Sequence, residues 1–198
     1  MKQERLSTRI RRRAVLEAAL DCFAEADVES VSIAEICDRS GASVGSVYHH
    51  FGNKEGILLA LLSDGLTAHL EALEQALEQA EGHPRACIEA LIDSLIQWVE
   101  ANPRWAQFIY SYLNRSGASS SEPILEINRR YKQIIEQHFE PLIQSGRLRE
   151  LPTDCWSSLI VAPTHDYARR WLRQQVRHSP STHQRLFIEA AWRIVQCD

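Results

Sequence analysis

The stretch from Ser32 to Phe51, followed by Asn53-Lys54-Glu55, constrains this chain more tightly than any other part of it. Ser32 supplies a hydroxyl N-cap, and Glu35 three residues on completes a capping box, so a helix starts there. Ile33, Ile36 and Cys37 give that helix an apolar face. Gly41 ends it, because the tight turn after a helix commonly needs positive φ. Ser43 caps a second short helix in which Val47 and Phe51, four apart, point inward. Val44, Ser46, His49 and His50 are left for other faces. Gly45 costs about 1 kcal/mol relative to Ala inside a helix; close approach to a neighbouring helix or to a sugar-phosphate chain would justify it. A generic helical hairpin with an accidental Gly is the plainer alternative. Cap, turn, Gly and aromatic spacing together point instead to a helix-turn-helix whose second helix fits between DNA backbones.

The stretch resembles the DNA-binding domain of the TetR-type transcriptional regulators. The residues that carry the resemblance are Ile36-Cys37, Ser40-Gly41-Ala42-Ser43, Gly45, Tyr48, Phe51 and Lys54, with Val15, Ala18, Ala19 and Phe23 upstream. Cys37 and Ser40 stand where the family usually has Ala, and Ala42 where it has Val; all three keep a small volume. The resemblance runs from Arg9 to about Leu61, roughly a quarter of the chain at high specificity. It implies a ligand-responsive repressor that binds a palindromic operator as a two-fold dimer and is released by a small molecule. The nucleic-acid contacts expected are Arg9, Ser32, Ser43, Val44, Gly45, Ser46, Tyr48, His49, His50 and Lys54.

The chemistry of these side chains supports such roles. A hydroxyl and free N–H groups at a helix start favour phosphate. Tyr48 can place its phenol on a phosphate oxygen while its ring packs on the domain. Lys54 opposes the dipole of the helix it opens, which a nearby phosphate would offset. Val44, Ser46 and His49 are the candidates for base reading, Val44 through a thymine methyl. The competing readings are a partly buried Val44 and solvent-exposed, idle His49 and His50.

The net charge of -4 does not itself suggest nucleic acid. The sign is uneven, however: Lys2, Arg5, Arg9, Arg11, Arg12 and Arg13 against Glu4 give the first thirteen residues a net +5. A basic arm of this kind reads as a phosphate or minor-groove contact beside the recognition helix. No apolar run approaches the ~20 residues of a membrane span, and no signal peptide is visible, so a cytoplasmic protein without membrane association is expected. The five cysteines are scattered with no Cys-x-x-Cys pair, so neither zinc nor a disulfide framework is indicated. No cofactor is expected. Nor is enzymatic activity, since phosphate loop, His-x-x-x-His and paired inward carboxylates are missing. A helical protein-binding adaptor or a helical enzyme remains the rival class.

Beyond the first domain every strong period is helical. Helices are expected from Asn53 to about Ala80, with Gly65 marking a bend, from Pro84 to about Ala101 and from Pro103 to about Arg115. A small-residue loop spans Ser116 to Ser121. Further helices run from Glu122 to about Ser145, bent near Pro141, and from a cap at Asp154 to about Arg177, interrupted at Pro163. Ser181 caps the last. The expectation is an all-α protein of about nine helices: a helix-turn-helix domain over residues 1–52 and a sensing and dimerising bundle over 53–198. Trp105, Phe108, Tyr112, Trp156 and His165 are the candidate contacts for an unknown effector, with plain core packing as the alternative for each aromatic. The last two helices are expected to pair with a second copy of the chain.

Overall fold

A computed structural model describes residues 2–113 and 120–197, with side chains described except at 2–7, 153 and 154. The side chains of Lys2 and Arg5, and Ser116 to Ser119 of the expected loop, lie outside the described residues; the cap expected at Asp154 falls instead inside the helix Thr153–Trp156, whose N-cap is Pro152. Every described element is helical. The chain divides into two compact units: residues 1–65 with 104–121, and residues 66–103 with 122–198. This division falls inside the fourth helix rather than at residue 52, because the sixth helix packs with the N-terminal residues.

The first unit contains α1 (Lys2–Glu25), α2 (Ile33–Ser40), α3 (Val44–Phe51), the start of α4 (Lys54–Gln79) and α6 (Pro103–Tyr112). Its core is Val15, Leu16, Ala19 and Leu20 of α1, Ile36 of α2, Val47 of α3, and Ile57, Leu58, Leu61 and Leu62 of α4, all buried. Burying each such aliphatic side chain stabilises by about 1.5–3 kcal/mol. The expected signals are present. Ser32 and Glu35 form a reciprocal capping box, Gly41 takes φ 68°, and the Ser43 hydroxyl accepts from the Ser46 N–H. Asn53 Oδ1 accepts from the Gly56 N–H at 2.9 Å and caps α4. Burial pushes the thiols of Cys22 and Cys37 up, so both stay neutral in the core.

Two glycines of α4 answer to packing. A Cβ at Gly65 would lie 2.8 Å from both Ile109 Cδ1 and Trp105 Cε3 of α6. Its function is therefore close helix contact. A Cβ at Gly56 would lie 1.8 Å from the Phe51 carbonyl oxygen, a backbone atom that cannot yield. By length and composition alone α4 could cross a membrane; its Ile57, Leu58, Leu61, Leu62, Leu70, Leu73 and Leu77 are buried in the cores.

The second unit holds the rest of α4, α5 (Pro84–Ala101), α7 (Glu122–Gln144), α8 (Thr153–Trp156), α9 (Ala162–Leu172) and α10 (Gln184–Val195). Cys87, Ile88, Leu91, Ile92, Leu95, Ile96 and Val99 are buried around most of α5, which makes it the central rod of this unit. Leu73, Leu77, Phe139, Leu142, Ile160, Ala191 and Val195 complete the core. A π-helical turn, Ser157–Val161, joins α8 to α9, with the Ala162 N–H donating to the Ser157 carbonyl. Pro163 explains it: proline has no N–H to donate, and its ring would strike the carbonyl four residues back, so the turn widens instead of breaking. The path ends at Leu172, short of the expected Arg177, in a C-terminal turn where Gln174 takes φ 57° and the Gln175 N–H donates to the Arg170 carbonyl. A 3-10 turn, Pro180–His183, leads into α10, so Ser181 is not its cap; the Ser181 N–H donates to Glu100 Oε1 at 2.7 Å.

Candidate nucleic-acid interface and effector cavity

The exposed face of α3 combines small and apolar groups. Val44 and Tyr48, one helical turn apart, are 49% and 51% exposed, far more than their neighbours Val47 and Phe51. An ideal Cβ at Gly45 meets nothing within 4 Å. The neighbouring-helix explanation for this glycine is thereby removed, and close approach by something outside the chain is left. The hydroxyl hydrogen of Ser43 and the phenol of Tyr48 have no partner among the described residues. Ser46 and His50 are half-buried and His49 is exposed; the His49 and His50 rings meet edge to face at 5.2 Å.

Two expected contacts are committed elsewhere. Lys54 Nζ donates to the carbonyl oxygens of Val28, Glu29 and Val31 at 2.9, 3.1 and 2.9 Å. All three ammonium hydrogens are thus engaged, and none is free for a phosphate. The cation at the start of α4 is offset by these carbonyls, not by DNA. Ser32 gives its hydroxyl hydrogen to Glu35 Oε2 at 2.8 Å, and its N–H to the same oxygen at 2.6 Å. The Ser32 N–H, followed by its hydroxyl, holds the Glu35 carboxyl below the ordinary range, so the cap carries a negative charge. Within the basic arm, Arg12 forms a two-pronged bond with Asp64 at 2.6 and 3.0 Å and lies 5.8 Å over the Phe51 ring. Arg12 therefore ties α1 to α3 and α4. Arg13 sits 3.5 Å from Glu17. Arg9 and Arg11 are exposed and pair with no described residue.

The five expected effector contacts do not form one site. Trp105, Phe108 and Tyr112 belong to the first unit. Trp105 lies against Gly65, and Phe108 stacks between Phe23 and Tyr112 at centroid distances of 5.8 and 5.5 Å. The Tyr112 phenol donates to Glu55 Oε1 at 2.6 Å. Phe108 and Tyr112 are buried and Trp105 is half-buried; Phe108 and Tyr112 also border a small cavity of about 250 Å3.

Trp156 and His165 belong to the second unit but line different places. Trp156 borders a cavity of about 710 Å3 between α5, α7 and the segment 150–161. His165 is half-buried near His69; removal from water, then the neighbouring His69 and Arg169, push its pKa down to about 4. His69, whose ring lies 5.4 Å from that of Trp98, is likewise pushed by burial to about 4. His69 Nε2 and Thr164 Oγ1 are buried without a hydrogen bond. Both imidazoles are neutral at pH 7. Among the described residues no cluster of His, Cys, Asp and Glu could hold a metal ion.

Residues 15–61, from α1 into α4, match the sequence pattern of the bacterial regulatory proteins of the tetR family. Residues 15–61 are a TetR-family helix-turn-helix domain. An HTH-type transcriptional regulator, BetI 1 of Chromohalobacter salexigens, is 33% identical over 84 residues, a segment that covers 42% of this chain and 42% of that relative. The chain thus matches less than half the length of that relative. A TetR family transcription regulator from Marinobacter aquaeolei VT8 shares the fold with a TM-score of 0.81 at 18% identity, covering 100% of both chains. The regulator FadR from Bacillus subtilis, solved in complex with stearoyl-CoA, has a TM-score of 0.75 at 20% identity, covering 90% of this chain and 96% of its own. The TetR fold therefore extends over both units, while the family sequence pattern matches the helix-turn-helix region alone.

Proposed function

We infer that this TetR-family chain is a ligand-responsive transcriptional repressor, cytoplasmic, which binds a palindromic operator as a two-fold dimer and is released by a small molecule. The observation that carries the DNA-binding half is α3. It is capped by Ser43 with a hydrogen to donate, flanked by exposed Val44 and Tyr48, and opened at Gly45 to an approaching backbone. In this reading Ser43, Tyr48 and Arg9 hold phosphates, Gly45 lets the sugar-phosphate chain come close, and Val44, Ser46, His49 and His50 face the bases. Ser32 and Lys54 act at one remove, by fixing α2 and the α1–α2 loop.

The second copy would pair through α9 and α10, where Leu186 is 68% exposed beside half-buried Phe187. Two α3 helices then meet major grooves about 34 Å apart. A ligand regulates by stabilising one separation over another. The Bacillus subtilis relative holds stearoyl-CoA, whose acyl chain supports an effector with an apolar body, and the 710 Å3 cavity beside Trp156 has room for such a body.

The test is selection of bound fragments from genomic DNA, followed by titration at two salt concentrations and a solution mass measurement. A dimer whose affinity falls steeply with salt is expected. A monomer with no salt-sensitive retention of any duplex would reject the reading and favour a protein-binding adaptor.

A further inference from the structure

We propose that the cavity bordered by Trp156 takes a lipophilic organic cation; the proposal rests on the reading of the second unit as effector-sensing. Its wall is built of Leu91, Tyr131, Ile135, Phe139, Trp156 and Ile160. Phe139 and Trp156 meet edge to face at 5.1 Å with their planes at 63°. Such a wall favours an apolar or aromatic body, and aromatic faces add attraction for positive charge. No described residue holds the Tyr131 phenol by a hydrogen bond.

The charge lining the cavity decides the sign of the ligand. Glu136, Glu140 and Glu150 border it, against Lys132 as the one cation among its described lining residues. Lys132 lies 3.5 Å from Glu136, so that pair is neutral overall. Glu140 accepts from the Gln144 side-chain amide at 2.9 Å, a neutral partner that leaves its charge in place. Glu150 forms no ion pair with a described residue. Two uncompensated carboxylates therefore stand over an aromatic wall in a cavity of about 710 Å3, well within the size range of small-molecule sites. A carboxylate or phosphate headgroup entering here would meet like charge, while a quaternary or delocalised cation would be attracted from both sides.

The probes are tetraphenylphosphonium and tetraphenylborate, which match in shape and differ in sign, titrated calorimetrically into the full chain. The phosphonium should bind at least tenfold more tightly. Glu140→Gln combined with Glu150→Gln should reduce that preference by about tenfold, and Trp156→Ala should weaken the phosphonium by a similar factor. Equal or tighter binding of the borate, binding of neither ion, or an unchanged preference in the double glutamine variant would overturn the proposal. The double variant lies on exposed positions, so folding does not confound it. Duplex binding by the unliganded chain is a separate readout: its absence would reject the regulator reading while the charge preference stood.

Discussion

Replacing Lys54 by Met separates two roles that the same lysine could play beside a recognition helix. In this structure the ammonium donates to three carbonyls of residues 28–31 at 2.9–3.1 Å. A hydrogen bond to a charged group contributes about 1.5–3 kcal/mol when its partner is removed from water. Glu29 is exposed, and Val28 and Lys54 are half-buried, so water replaces part of what is lost. A total destabilisation of about 2–4 kcal/mol follows, with the α1–α2 loop loosened and α2 and α3 less firmly placed. At a urea slope of about 2 kcal/mol/M the unfolding midpoint should drop by about 1–2 M. Affinity for operator DNA should fall through disorder of the domain, with the slope of log K against log salt unchanged. A direct phosphate contact behaves in the opposite way, its loss lowering the slope by about 0.9 per lysine with little effect on the midpoint. A reduced slope with an unmoved midpoint would refute the internal assignment.

Gly45→Ala should leave the unfolding midpoint unchanged or raise it, since Ala gains about 1 kcal/mol in a helix, while operator affinity measured by anisotropy falls. Gly56→Ala should do the reverse to folding, costing about 3 kcal/mol or more as its Cβ is driven against the Phe51 carbonyl. Val44→Ala should shift sequence preference in a fragment selection, whereas Tyr48→Phe should weaken all duplexes alike. The buried imidazoles give a pH dependence. His69 goes from an ordinary 6.5 to about 4 on folding, so the unfolded chain binds the extra proton between those values. Stability is therefore full above pH 6.5 and falls as pH drops towards 4, by about 1.4 kcal/mol per unit for one histidine. Urea unfolding at pH 7 and pH 5 should show this loss, and His69→Gln should reduce it; a flat profile would count against burial of the neutral ring.

What the sequence made legible was local. Ser32 with Glu35, Gly41, and Ser43 with Ser46 act over two to four residues, and each signal is complete within the stretch that displays it. In the sequence Lys54 and Arg12 look like free cations because their partners lie 23–26 and 52 residues away. A cation shows its charge in the sequence but not which carbonyl or carboxylate the fold will bring to it. The basic arm shrinks for this reason: of its described arginines, Arg12 turns to Asp64, while Arg9, Arg11 and Arg13 stay exposed, Arg13 with Glu17 at 3.5 Å.

The aromatic residues failed as a set for a related reason. Trp105, Phe108 and Tyr112 sit on one helix at spacings of three and four, a pattern that serves a cavity wall and a ring stack equally well. Tertiary placement decided, because α6 joins the first unit and finds Phe23, Glu55 and Gly65 there. Gly65, expected to bend α4, was the available clue. A glycine in mid-helix often marks where a bulky side chain from elsewhere comes to rest, and the nearest unplaced bulky residues were these aromatics. The same logic inverts at Gly45, where nothing in the chain fills the gap. An empty space beside a costly helical glycine leaves room for a partner from outside the chain, and this makes Gly45→Ala a sharper test of the proposed DNA contact than any change among the charges around it.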